Sequence, residues 1–145
     1  VYAEFAREHR EIYSGHRDLL RPRTAEMMAA GKKVTDDEIH TARKHCGALR
    51  NELEQLAASE GIDLWICPSA TGPAPEGIHA TGNPNMNLPW THTGMPVVTL
   101  PAGKAANGLP LGLQLVARFG ADEYLLAWAQ MTEDSLTEDR LGRPE

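Results

Sequence analysis

The chain of 145 residues carries 14 basic and 20 acidic side chains, a formal charge of -6, and 41% of its residues are hydrophobic. That size supports one domain with a real core, while the acidic balance offers no positive field for phosphate backbones or anionic lipid, so neither nucleic acid nor membrane is expected as a partner. The longest apolar runs, DLWIC and MPVVTL, fall far short of the roughly 20 residues that span a bilayer, and with a charged N-terminal segment they predict a cytoplasmic protein.

Residues 2–13 (YAEFAREHREIY) place apolar and charged side chains at helical spacing, SGH interrupts them, and a second run continues to Gly31. Pro22 is tolerated only in a helix's first turn, so the second helix is expected to begin near Arg21. Thr35 followed by Glu38 reads as a capping box opening a long helix to about Ser59, stopped by Gly61. Its apolar positions Ile39, Ala42, Cys46, Leu49, Leu53 and Leu56 alternate in threes and fours, which predicts one buried face. IDLWICP then reads as a short buried strand ended by Pro68. The next twenty residues, dense in Gly, Pro, Asn and Thr, predict a long loop of the kind that often carries function. Residues 96–101 and 109–118 are β-like and separated by a segment containing Asn-Gly, predicting a hairpin or a wide β-turn. The last element, ADEYLLAWAQMTEDSL, sets Leu125, Trp128, Ala129 and Thr132 on one helical face and puts Asp122 and Glu123 at its dipole-favoured N-terminus. The chain thus reads as helices over 1–60, then strand, long loop, strand pair and helix over 61–145.

A nucleophilic hydrolase needs a Ser, Cys or similar group with a base beside it. The serines are Ser14, Ser59, Ser69 and Ser135, none in a Gly-x-Ser-x-Gly context. Ser69 follows a strand but lacks the small residues of a nucleophile elbow, so a turn or capping role is the better reading. Six histidines raise the question of a metal, and a metal-dependent hydrolase would draw on His45, Cys46, Cys67 or His79. The spacing argues against it: His40 and His45 are five apart and no Cys-x-x-Cys or His-Glu-x-x-His occurs. Cys46 and Cys67 read instead as small core residues kept reduced in the cytosol. No metal or other cofactor is expected. PAGKAANG is a turn rather than a phosphate loop, because Val98 stands where the first Gly should be and no Ser or Thr follows Lys104.

The polar group Asn87, Trp90, Thr91 and His92 sits immediately before an apolar strand, at the end of the long loop. Loops on rigid sheets carry specificity, so these four are the candidate substrate contacts. Gly94 and Pro96 are expected to re-aim the chain into the strand, Gly103 and Gly108 to permit its return, and Gly112 to let another backbone approach closely.

DLWICPSATGPAPEG, NLPWTHTGMPVVTLPAG and GLPLGLQLVARFGADEYLLAWA, in that order, resemble the C-terminal portion of the amidase signature family, serine hydrolases that cleave amides to carboxylate and ammonia or amine. The likeness is strongest over residues 60–131. It implies an α/β fold with a mixed β-sheet flanked by helices, incomplete in this chain, and a Ser nucleophile, a bridging Ser in a cis peptide and a Lys base carried in an upstream Gly/Ser-rich signature. That signature has no counterpart here, so no catalytic residue transfers, and Val1, which opens directly in a helical phase, reads as the start of a portion of something larger. The resemblance implies a small amide as the substrate of the whole enzyme and no turnover by this chain alone. A different class of reading is a self-associating, non-catalytic interaction module, a homo-oligomer in which another copy covers exposed edges and apolar faces.

Overall fold

The structure, a computed structural model, describes residues 1–141, and side chains as far as residue 137. The chain divides into two compact units, Val1–His45 and Cys46–Glu145. Among the described residues no helix is long and apolar enough to cross a membrane.

The first unit opens with α1 (Tyr2–Glu8) and α2 (Arg10–Gly15), where the periodicity had predicted one helix. The break falls at His9, whose φ of -100° and ψ of 18° leave the helical well. Its ring stacks on Phe5 at 4.4 Å between centroids, and its Nδ1 lies 3.1 Å from the Phe5 carbonyl oxygen, which already accepts the His9 backbone N–H. The ring thus shares the carbonyl used by the last backbone bond of α1. The next helix, α3 (Pro22–Gly31), begins where the proline requires, with Arg21 as its N-cap. The unit's core gathers Ala6, Tyr13 and Met28, with Phe5 and Leu20 against them. Gly31 makes this packing possible: a Cβ there would run into the Tyr2 carbonyl oxygen and lie 2.8 Å from the Ala6 Cβ.

The long helix α4 spans Asp36–Glu60. Its capping box closes as the sequence predicted: Glu38 N donates to Thr35 Oγ1 at 3.3 Å, and Thr35 N donates back to Glu38 Oε2 at 2.7 Å. That backbone bond, with a second from the Thr35 hydroxyl, holds the Glu38 carboxyl below its ordinary value of 4.5. At the other end Gly61 turns left-handed with φ 66°, and Ile62 N donates back to Ala57 O at 2.9 Å, a six-to-one closure that satisfies an orphan carbonyl. The buried face differs from the expected one. Ile39 and Ala57 are buried, Cys46, Leu49 and Leu53 half-buried, and Ala42 and Leu56 exposed. Toward its C-terminus the contact row advances in steps of four, through Leu49, Leu53 and Ala57, following one ridge of the helix surface.

The second unit is organised by a sheet of β1 (Trp65–Pro68), β2 (Val97–Lys104) and β3 (Pro110–Val116) in the order β1-β3-β2. Both pairings are antiparallel, with Trp65 and Val97 each opposite Val116. The hairpin β2–β3 forms as expected, closed by Ala105 N to Leu109 O at 2.8 Å and by Gly108 at φ 82°. Its register shifts between Pro101 and Gly103; a proline has no N–H for the ladder, and a bulge is where a strand accommodates one. The strand β1 is not buried as the sequence reading expected. It is an edge strand with burial alternating along it, and Ile66 stays 63% exposed although it lies opposite the buried Leu115, because the helix covering this face of the sheet packs on β2 and β3. That cover is α6 (Asp122–Leu141), whose Leu125 and Ala129 pack on Leu100, Leu115 and Ala117. Trp128 and Thr132 follow on the same face, half-buried, as its periodicity predicted.

Candidate functional site: a cleft between a short helix and the central strand

After β1 the chain runs from Ser69 to Asn83 without helix or strand. Asn83 Oδ1 then accepts Asn85 N at 2.9 Å and opens a 3-10 turn, Pro84–Met86. The residues that follow, read from the sequence only as a polar group ahead of a strand, form α5, Leu88–Thr93. Pro89 in its first turn favours helical φ at no loss of a needed N–H. Gly94 ends it at φ 69°, donating its N–H to Trp90 O at 2.8 Å. Thr93, fully buried, returns its hydroxyl to Pro89 O at 2.9 Å.

Six residues make a helix too short to persist on its own, and α5 is held from outside. Arg50 of α4 donates Nε to Thr93 O at 2.6 Å, while its guanidinium lies 3.7 Å from the centroid of the Phe119 ring. At the other end Asn87 leaves the cap unfilled: its Oδ1 accepts Gln114 Nε2 at 3.2 Å and its Nδ2 donates to Ser69 O at 3.5 Å. Gln114 lies on β3 between Cys67 and Thr99 in register. It is fully buried, and its Oε1 accepts Cys67 Sγ at 3.5 Å. Ser69 is fixed by its own N–H to Gly112 O at 3.0 Å. Its hydroxyl occupies the space a Cβ at 112 would need, and that Cβ would also lie 2.8 Å from Thr99 Cγ2. Gly112 was expected to admit another backbone; what approaches it closely is the side chains of Ser69 and Thr99.

Between α5 and β3 lies a cleft of about 300 Å³, lined by Asn87, Trp90, Thr91, Gly94, Met95, Val97 and Gln114. Three of the four candidate residues thus share one wall. The Trp90 indole Nε1 is buried and has no hydrogen-bond partner among the described residues, and a buried donor left unmet costs free energy until an acceptor arrives. The cleft combines an apolar body, two carboxamides and a hydroxyl, and one of its lining residues carries the unmet indole donor, a set that suits a small neutral ligand with a carbonyl oxygen. His92 does not line it. Its Nδ1 lies 3.4 Å from Cys46 Sγ at an exposed contact.

Gln114 was missed by sequence reasoning. The available signal was a lone amide in the apolar strand LGLQLV, because a buried carboxamide demands partners. Both cysteines depart from their expected role as core residues: each is half-buried, and each sulfur faces a polar atom. Among the described residues no group of three or more His, Cys, Asp or Glu side chains is placed to hold a metal.

A family model described as amidase matches residues 5–126. A 6-aminohexanoate-cyclic-dimer hydrolase of Pseudomonas sp. (strain NK87) is 32% identical, covering 52% of this chain and 19% of that protein. A glutamyl-tRNA(Gln) amidotransferase subunit of Xanthobacter autotrophicus is 28% identical, covering 65% of this chain and 20% of its own length. The chain therefore spans about a fifth of these relatives. A solved amidase structure superimposes with a TM-score of 0.76 at 31% identity, over 88% of this chain and 32% of that one. With the family model matched across most of its length, the chain belongs to the amidase family.

Proposed function

We propose that the chain is the substrate-side portion of an amide hydrolase, the C-terminal part of an enzyme that cleaves a carboxamide C–N bond to carboxylate and ammonia or amine. The supporting observation is a cleft furnished by Asn87, Thr91 and Gln114, one of whose lining residues, Trp90, holds an unmet indole donor. A carboxamide offers a carbonyl oxygen to that indole and N–H groups to the Asn87 and Thr91 oxygens. His92, on the same helix, completes the substrate-side group as its exposed member. The nucleophile and base belong outside these residues, so the chain binds and positions but does not turn over. Two measurements on the purified chain test this together: equilibrium dialysis against a simple carboxamide, and ammonia release over hours. Saturable binding without ammonia is expected, and sustained ammonia release would overturn the assignment of the catalytic groups.

A second reading, self-association, draws support from the sheet's two outer strands, β1 and β2, and from Ile66, Leu126 and Met131, each more than 60% exposed. Unpaired strand edges and apolar side chains are what a second copy would cover. Light scattering across a concentration series decides it: a monomer at every concentration counts against this module.

A further inference from the structure

The contact between Cys46 and His92 is not used by the cleft. We propose that the two form a thiol–imidazole pair in which His92 makes Cys46 a site of covalent modification by soft electrophiles. The two atoms lie 3.4 Å apart, Sγ to Nδ1, at an exposed position. Their alignment is enforced, because Arg50, one turn further along the same face of α4, grips the end of α5 at the neighbouring Thr93 carbonyl, 2.6 Å away. A thiol becomes a nucleophile as it loses its proton, and a nearby base and cationic groups favour that loss. His92 supplies the base.

The chain contains its own control. Cys67 faces the carboxamide oxygen of Gln114 at 3.5 Å, an acceptor that can hold an S–H but cannot take the proton. In the reaction with an alkyl halide the Cys46 sulfur forms an S–C bond as the C–X bond breaks. The bonding pair leaves with the halide, and the thiol proton passes to His92 Nδ1 and on to solvent. No oxidant or reductant is needed.

The test is alkylation of the folded chain by limiting iodoacetamide, with the two cysteine-containing peptides followed by mass spectrometry at pH 7 and at pH 9.5. At pH 7 Cys46 is expected to react about tenfold faster than Cys67, and the ratio should fall at pH 9.5, where hydroxide deprotonates both. His92→Asn keeps a polar group near the Nδ1 position but no base, and should slow Cys46 about tenfold at pH 7 while leaving Cys67 unchanged. An unaltered Cys46 rate in that variant would overturn the pair. Should the substitution loosen the fold, seen as faster Cys67 labelling, the unsubstituted chain decides alone: a Cys46 to Cys67 ratio that is the same at both pH values overturns the proposal.

Discussion

The hairpin β2–β3 and the helix α5 are neighbours in sequence and are stabilised in opposite ways. The hairpin is a ladder of backbone pairs from Val97↔Val116 to Lys104↔Pro110, and any sequence with that alternation and turn would tend to form it. The helix has six residues and depends on groups far away in the chain: the Arg50 side chain at one end, and the Gln114 side chain and the Ser69 backbone carbonyl at the other. The regular element is a scaffold that tolerates change locally; the irregular one carries the candidate cleft and fails when a distant partner is removed.

The largest effect should therefore come from a residue outside α5. Arg50→Ala removes a charged hydrogen bond and a cation–π contact, together about 2–3 kcal/mol, and should expose the amides of 88–94 to exchange while the β2–β3 ladder stays protected. Loss of protection across both would show that helix and hairpin are one cooperative unit. Next is Gly112→Ala, whose new Cβ meets Ser69 and Thr99. Displacing Ser69 should cost about 1–3 kcal/mol by overpacking and weaken the Asn87 anchor; an unchanged denaturation midpoint would mean that loop and strand part freely. A third test lies in the first unit and leaves the cleft alone. Thr35→Ala should cost about 1 kcal/mol and fray the start of α4, without altering exchange at 88–94.

The smallest effect is a pH dependence of that same cap. Because the Glu38 carboxyl is held below 4.5 by the Thr35 N–H and hydroxyl, its contribution is fully present above 4.5 and is lost as pH falls through the lowered folded value. The Thr35 amide resonance should titrate with a midpoint below 4.5, and should not titrate in Glu38→Gln. A midpoint at or above 4.5 would contradict the bond.

What could be read in the sequence follows the same division. The cap at Thr35, the Gly61 stop, the Pro22 start, the hairpin and the inner face of α6 are set by local rules, and they are found where those rules put them. The break at His9 falls where one ring stacks on Phe5 and shares its carbonyl, which periodicity does not register. Exposure of Ile66 reflects a covering helix that packs on β2 and β3 rather than over the edge strand, a property of the assembled layers rather than of IDLWICP. At the site, Asn87, Trp90 and Thr91 were identifiable as polar residues ahead of a strand. Their helical arrangement and Gln114's part in it depend on contacts 18 to 43 residues away along the chain.

The central claim is that the buried Trp90 donor faces a cleft that receives a carbonyl-bearing ligand. It is tested most directly by following the three tryptophan indole N–H resonances, Trp65, Trp90 and Trp128, while a simple carboxamide is titrated into the labelled chain. A saturable shift of the Trp90 indole, accompanied by the Asn87 and Gln114 side-chain amides and with Trp65 and Trp128 unmoved, is the predicted result. A Trp90 indole that stays in place, or three indoles that drift together without saturation, would contradict it.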